Sequence, residues 1–282
     1  MKFLIYRILF LASIVAPQFL MAKIYDCFMF NHELDILEIR LNEMYDFVDY
    51  FVLVESTETH RGTPKELHYE NNKARFGRFQ DKIIHVIVRD PLPTNDLWAR
   101  EGFQRDQIIR GLKRCSPDDC VIISDLDEII RGKDISKIVA HLKNHHHVAC
   151  QLDLFIHYLN GFVGQWNGPV ATKFYNVARA GANSMREIRN SVFTLKNMGW
   201  HFSSVGSIQM NLIKLTSNVH GAEYPNITAR DIELAMENTP CIPIDSSFPQ
   251  YVIDHWDVYI QRGLIKENGT ASRASVGTKL HR

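Results

Sequence analysis

The chain has 282 residues, with 32 Lys and Arg against 32 Asp and Glu, and 45% of its side chains are hydrophobic. Zero formal charge without any dense basic window excludes a surface that neutralises many phosphates, and with it nucleic acid as a partner. The 16 Phe, 10 Tyr and 4 Trp suffice for a packed core, and the length predicts one sizeable domain or two small ones.

Residues 1–22 form a segment of their own. Lys2 and Arg7 precede the apolar run Ile8 to Ala16, Pro17 breaks it, and Ala22 offers a small residue for cleavage before Lys23. This layout predicts a secretory signal, an export or membrane-associated location, and possible membrane association through the N-terminus. A buried N-terminal helix or an uncleaved anchor is the alternative, and without a signal the location would be cytoplasmic. Cys27, Cys115, Cys120, Cys150 and Cys241 show no C-x-x-C pair and no zinc-like spacing. Free or buried thiols are expected, with a bridge between Cys115 and Cys120 as the alternative.

From Lys23 the pattern alternates strands and helices. Ile24 to Phe30 reads as a strand, and Glu33 to Tyr45 as a helix with Leu34, Leu37, Leu41 and Met44 at helical spacing. Tyr50 to Val54 and Ile83 to Val88 are continuous apolar runs of the kind buried on both faces of a sheet, with a polar loop between them. Trp98 to Arg114 predicts one long helix, and Val121 to Ser124 a fourth strand. Farther on, Val148 to Cys150, Leu154 to Val163 and Thr172 to Val177 read as strands, with Gly161, Gly164 and Gly168 as turns. The class is α/β with a mostly parallel sheet, helices on both faces, and ligands beyond the carboxyl ends of the strands. Residues 23–265 are expected to form a single catalytic domain and residues 266–282 a flexible tail.

Asp125-Leu126-Asp127-Glu128 follows the fourth strand. In an extended chain Asp125 and Asp127 would point to one side, so two carboxylates could share a hard divalent ion, Mg²⁺ or Mn²⁺, bridging to a diphosphate. The competing picture is a solvated turn with Glu128 at a helix entry.

Three separated stretches carry a family resemblance: Tyr50 to Ser56 with the Thr59 to Pro64 loop, Pro117 to Ile129, and Gly199-Trp200-His201-Phe202. In this order they resemble glycosyltransferase family 17, over about Tyr25 to Asn226, and Asp26-Cys27-Phe28 with Glu33-Leu34-Asp35 is similar to its bacterial-type members. The resemblance implies a GT-A-type, Rossmann-like fold, a UDP-sugar donor, with UDP-N-acetylglucosamine the first choice, and a glycan acceptor. It assigns Asp125 and Asp127 to the metal and the donor diphosphate. It also marks Trp98, Glu101 and Arg105 as a similarly spaced set. Arg105 is the candidate donor contact, against an ordinary exposed helical arginine.

His201 is the candidate third metal ligand, with a core histidine beside Trp200 as the alternative and His220 as the second candidate. His145-His146-His147 reads as a solvated turn. Inverting transfer needs a carboxylate to take the acceptor proton. Glu55, at the end of a buried strand, is the first choice, with Glu101 and Asp254 behind it, and a structural acceptor role is the alternative for Glu55. Trp166 and Tyr158 are candidate acceptor contacts. Asn226-Ile227-Thr228 and Asn268-Gly269-Thr270 are formal glycosylation sequons.

The leading expectation is an inverting, metal-dependent glycosyltransferase forming a β linkage. A phosphohydrolase of the haloacid-dehalogenase type, with Asp125 as nucleophile, and a silent carbohydrate-binding protein are the alternatives. Removing residues 1–22 takes away Lys2 and Arg7 and no acid, so the remaining chain is slightly acidic. A dianionic donor then requires local neutralisation, by a cation and Arg105.

Overall fold

A computed structural model describes residues 22–91 and 94–267. The signal-like segment before Ala22, and the tail with its second sequon from Asn268 on, lie outside the described residues. Lys266 is still tied down, its backbone N–H donating to Asn160 Oδ1 and its ammonium to the carbonyls of Met236 and Glu237. The ordered chain therefore continues past residue 265.

Among the described residues nine strands make one sheet: β1 Ile24–Phe30, β2 Tyr50–Ser56, β3 Ile83–Val88, β4 Cys120–Asp125, β5 Glu128–Ile130, β6 His147–Ile156, β7 Phe162–Lys173, β8 Thr194–Leu195 and β9 Gly199–Ser203. The order is β3-β2-β1-β4-β7-β6-β9-β5, with β8 also on β6. The first four strands are parallel, whereas β7 runs antiparallel to both β4 and β6, and β5 antiparallel to β9. The helices are α1 Leu34–Met44, α2 His68–Asn71, α3 Leu97–Asp106, α4 Ile135–Leu142, α5 Phe174–Ala180, α6 Ala182–Glu187, α7 Ile208–Ser217, α8 Ala229–Glu237, α9 Gln250–Asp254 and α10 Trp256–Gln261.

The apolar runs of the first strands are buried on both faces, and alternation divides them between two cores. Phe28, Phe30, Phe51, Leu53 and Ile122 face the side covered by α1, α4 and the C-terminal helices. Tyr25, Cys27, Val52, Val54, Val121 and Ile123 face Ile108, Val177, Ala182 and Met185 on the other. Period-two side-chain direction on a sheet covered on both sides explains why these strands lack polar alternation. The α/β expectation with helices on both faces is met.

Several local expectations are corrected. The stretch from Trp98 to Arg114 is α3, capped by Asp96 accepting from the Trp98 and Ala99 N–H groups, followed by a 3₁₀ turn over Gln107–Gly111. The segment between β2 and β3 holds α2 and a 3₁₀ stretch over Lys73–Phe79 instead of a plain loop. Strand β7 extends through Gly164 and Gly168, which are not turns, and the chain from Phe174 is helical. All five cysteines are free, so the Cys115–Cys120 bridge is absent. His145 and His146 are exposed as expected, and His147 opens β6.

Candidate active site

A cavity of about 420 Å³ opens at the carboxyl ends of β1 and β4. Chain order reverses between these two strands, since β1 leads to β2 on one side while β4 returns to the other. Ligands of open α/β sheets bind at such a switch point. Met29 to Asn31, Asp125 to Asp127, Trp166, His201 and Lys214 contribute to the wall.

The Asp125–Glu128 segment is not extended. Asp125 ends β4, Leu126 and Asp127 turn, and Glu128 begins β5, so Glu128 is a fully buried strand residue and not a helix entry. The turn sends the two aspartates to different partners. Asp125 receives Arg105 at 3.1 Å and Arg186 at 3.2 Å. Asp127 receives Lys214 at 2.7 Å on Oδ2 and faces His201 Nε2 at 3.3 Å through Oδ1. Burial would raise both carboxyl pKa values. The guanidiniums of Arg186 and Arg105 hold Asp125 well below the usual range instead, and Lys214 and His201 do the same for Asp127.

His201 reaches this place through strand pairing. It stands opposite Glu128 in the β5–β9 register, and the Phe202 N–H donates to the Asp127 carbonyl at 2.8 Å. Gly199, at the start of the motif, permits the approach: its φ is +151°, and a Cβ there would lie 2.1 Å from the Ile129 carbonyl oxygen. Burial lowers the His201 pKa, but the Asp127 carboxylate outweighs it and the net shift is upward. Its Nδ1 is a buried atom without a partner among the described residues.

Asp127 and His201 are the pair that could hold a divalent ion, with their facing atoms 3.3 Å apart on the cavity wall. Asp125 is not in that pair, and among the described residues no three His, Cys, Asp or Glu side chains gather into a metal-holding cluster. The expected Asp125, Asp127 and His201 set therefore divides, with Asp125 turned to the arginines.

Arg105 is not an exposed helical arginine. It is 5% exposed and binds Glu101, Asn183 and Asp125. Glu101 lines the cavity beside it. Glu55 is placed elsewhere: fully buried, it accepts from the Tyr69 N–H at 2.8 Å and pairs with His85 at 3.0 Å, anchoring the start of α2 outside the cavity wall. Its carboxylate is held in these bonds away from the cavity, whereas Glu101, bonded to Arg105, is on the wall. Asp254, on α9 and bonded to Gln250, also lies away from the wall. Trp98 is 57% exposed, with its ring edge-on to His220 at 5.1 Å, and His220 reaches the wall while pairing with Glu223 and not with the aspartates. Trp166 lines the cavity and donates through Nε1 to Glu128 at 2.7 Å, whereas Tyr158 sits under the Lys266 ammonium, outside the wall.

Three residues of the site escaped the sequence reading. Arg186, on α6, binds Asp125, Glu128 and the Gly168 carbonyl. Lys214, on α7, bridges Asp127 and Glu33. Arg40 has no solvent exposure and holds the Asp125–Glu128 turn from below. An arginine four residues from Ile36 and from Met44, on the apolar face of α1, was the one signal available for it.

The family model described as glycosyltransferase family 17 matches residues 16–225. The β-1,4-mannosyl-glycoprotein 4-β-N-acetylglucosaminyltransferases of Rattus norvegicus and Homo sapiens are each 30% identical to this chain over 124 residues, covering 41% of this chain and 23% of the relative. The match thus spans about a quarter of those relatives. Among solved structures, S. aureus TarS 1-349 is similar with TM-score 0.40 at 9% identity, over 84% of this chain and 74% of that one. M. tuberculosis glucosyl-3-phosphoglycerate synthase has TM-score 0.38 at 13% identity, over 64% and 72%. By the extent of the family match, nearly three-quarters of its length, the chain belongs to glycosyltransferase family 17.

Proposed function

We propose that the protein is an inverting, metal-dependent glycosyltransferase that moves N-acetylglucosamine from UDP-N-acetylglucosamine onto a glycan acceptor in β linkage. The observation that carries this reading is the pairing of Asp127 with His201, with Asp125 on the same wall, in a cavity at the sheet's switch point. The names of the N-acetylglucosaminyltransferase relatives support the choice of sugar.

Asp127 and His201 would hold Mn²⁺ or Mg²⁺, which supplies positive charge against the diphosphate as it leaves. Arg105 and Arg186, buried behind the cavity wall, hold Asp125 ionised on it. The acceptor hydroxyl attacks the anomeric carbon, the bond to the UDP oxygen breaks with inversion, and the hydroxyl proton passes to a carboxylate. Glu101, on the cavity wall, takes that role in place of Glu55. Trp166 offers an aromatic surface for the acceptor sugar.

The test is UDP release from UDP-N-acetylglucosamine by the purified protein with Mn²⁺ and a glycan acceptor, against Asp127→Ala. Loss of turnover in the variant is expected, and unchanged turnover would remove Asp127 from the chemistry. The phosphohydrolase alternative finds no support in the family match.

Residues 1–22 we propose as an export signal or membrane anchor. Among the described residues no helix is long and apolar enough to cross a membrane. Mass spectrometry of the exported protein should find Lys23 at the N-terminus if the segment is cleaved, and an intact Met1 rules cleavage out.

A further inference from the structure

Asp127 is shared between two directions. Oδ1 faces His201, while Oδ2 holds the Lys214 ammonium at 2.7 Å, and the same ammonium lies 3.3 Å from Glu33. All four side chains line the cavity. Burial alone would lower the Lys214 pKa, but the Asp127 and Glu33 carboxylates outweigh it, so the ammonium stays charged. A divalent ion on Asp127 and an ammonium on the same carboxylate repel each other, and the repulsion is strong in a partly desolvated site. One of them must yield or acquire another anionic partner.

Lys214 is built to yield. Its ammonium is a point charge on a flexible stem, able to change partners without loss of fixed geometry. It sits on α7, whose ten residues include only Asn211 and Ser217 as buried side chains. A helix with so few buried contacts is among the elements that adjust at low cost.

We propose that Lys214 is the internal counter-ion of Asp127 in the donor-free protein and that it couples metal binding to diphosphate binding. The donor diphosphate gives the ammonium a new anionic partner, Asp127 is released to the cation, and each ligand strengthens the other. This rests on the functional reading above, and it concerns the order and cooperativity of binding, not the reaction. Coupling between two sites is reciprocal, so either ligand can report it.

The experiment measures Mn²⁺ binding by isothermal titration calorimetry, with and without UDP, for the wild-type protein and Lys214→Met at one pH. Lys214→Gln serves as a second variant, and thermal unfolding of each confirms folding. UDP is expected to raise the wild-type Mn²⁺ affinity by roughly tenfold or more, within the usual range of coupling. Lys214→Met is expected to bind Mn²⁺ alone about tenfold more tightly than wild type, with most of the UDP effect gone. Equal Mn²⁺ affinity of wild type and both variants without UDP overturns the role of Lys214 and leaves the functional reading standing. Failure of the wild-type protein to bind Mn²⁺ under either condition overturns both.

Discussion

Arg40 binds both carboxylate oxygens of Asp26, at 2.8 Å through Nε and 2.5 Å through Nη2, and neither side chain has any solvent exposure. The remaining donors reach Ser124 Oγ and the carbonyls of Asp125, Leu126 and Glu128 at 2.6 to 3.0 Å, so one guanidinium joins β1 to the turn that carries the aspartates. The guanidinium also lies 4.4 Å from the Phe28 ring centroid. A buried pair satisfied in this way costs little to keep and much to break.

Arg40→Lys keeps the charge but not the fork. We expect a loss of stability of about 3 kcal/mol, at the lower end of the cost of breaking a buried ion pair. UDP affinity should fall as well, because the turn loses its carbonyl anchors. Urea unfolding and UDP titration check the two effects, and unchanged UDP affinity would show that the turn holds its shape unaided.

Glu55 and Glu101 should separate in their kinetics. Glu101→Gln is expected to lower kcat by roughly 10²-fold or more while UDP binding persists, the scale of a lost general base. Glu55→Gln should retain kcat and lose thermal stability, since it weakens the anchor of α2 on the Tyr69 N–H and His85. The reverse pattern would restore Glu55 as the base.

Gly168 lies inside β7 because Glu128 needs the space. A Cβ at that position would stand 2.8 Å from the Glu128 carboxyl carbon and from Oε1, the oxygen that accepts from Trp166 and Arg186. Gly168→Ala should cost about 1–3 kcal/mol, the range of an overpacked core. Differential scanning calorimetry measures it, and a melting temperature equal to wild type would mean that Glu128 shifts freely.

Acid should destabilise the fold before its carboxylates protonate. Burial lowers the pKa of His157, and of His141 and His147, below the ordinary histidine value of 6.5. With the folded pKa depressed, the unfolded chain binds the proton more readily. The stability these groups contribute is complete above pH 6.5 and is lost as pH falls through their folded pKa values. His157→Asn should flatten this slope. His157 has φ +62°, which Asn tolerates, and an Asn side chain can replace the bond to Thr239. Thermal unfolding followed from pH 7.5 to about 5 reads the difference, and an identical slope in the variant would remove His157 as a contributor.

The strands before Asp125, helix α1 and the placement of the two aspartates at the carboxyl end of β4 were legible in sequence, because local periodicity and β-branched runs determine them. The antiparallel half of the sheet was harder to read. The long β6–β7 pairing is interrupted by register shifts, and glycines inside β7 imitate turns.

Sequence alone determined the family, the α/β class and the Asp125 and Asp127 positions, since short stretches, each contiguous in the chain, carry them. Tertiary structure decided which charge meets which. His201, Arg186 and Lys214 come to the aspartates from 61 to 87 residues away, through the β5–β9 register and the packing of α6 and α7. Glu55, equally acidic and at the end of a neighbouring strand, is instead tied to α2. Electrostatic pairing depends on distances of a few ångströms and on burial, and neither quantity is written in the order of residues along a chain.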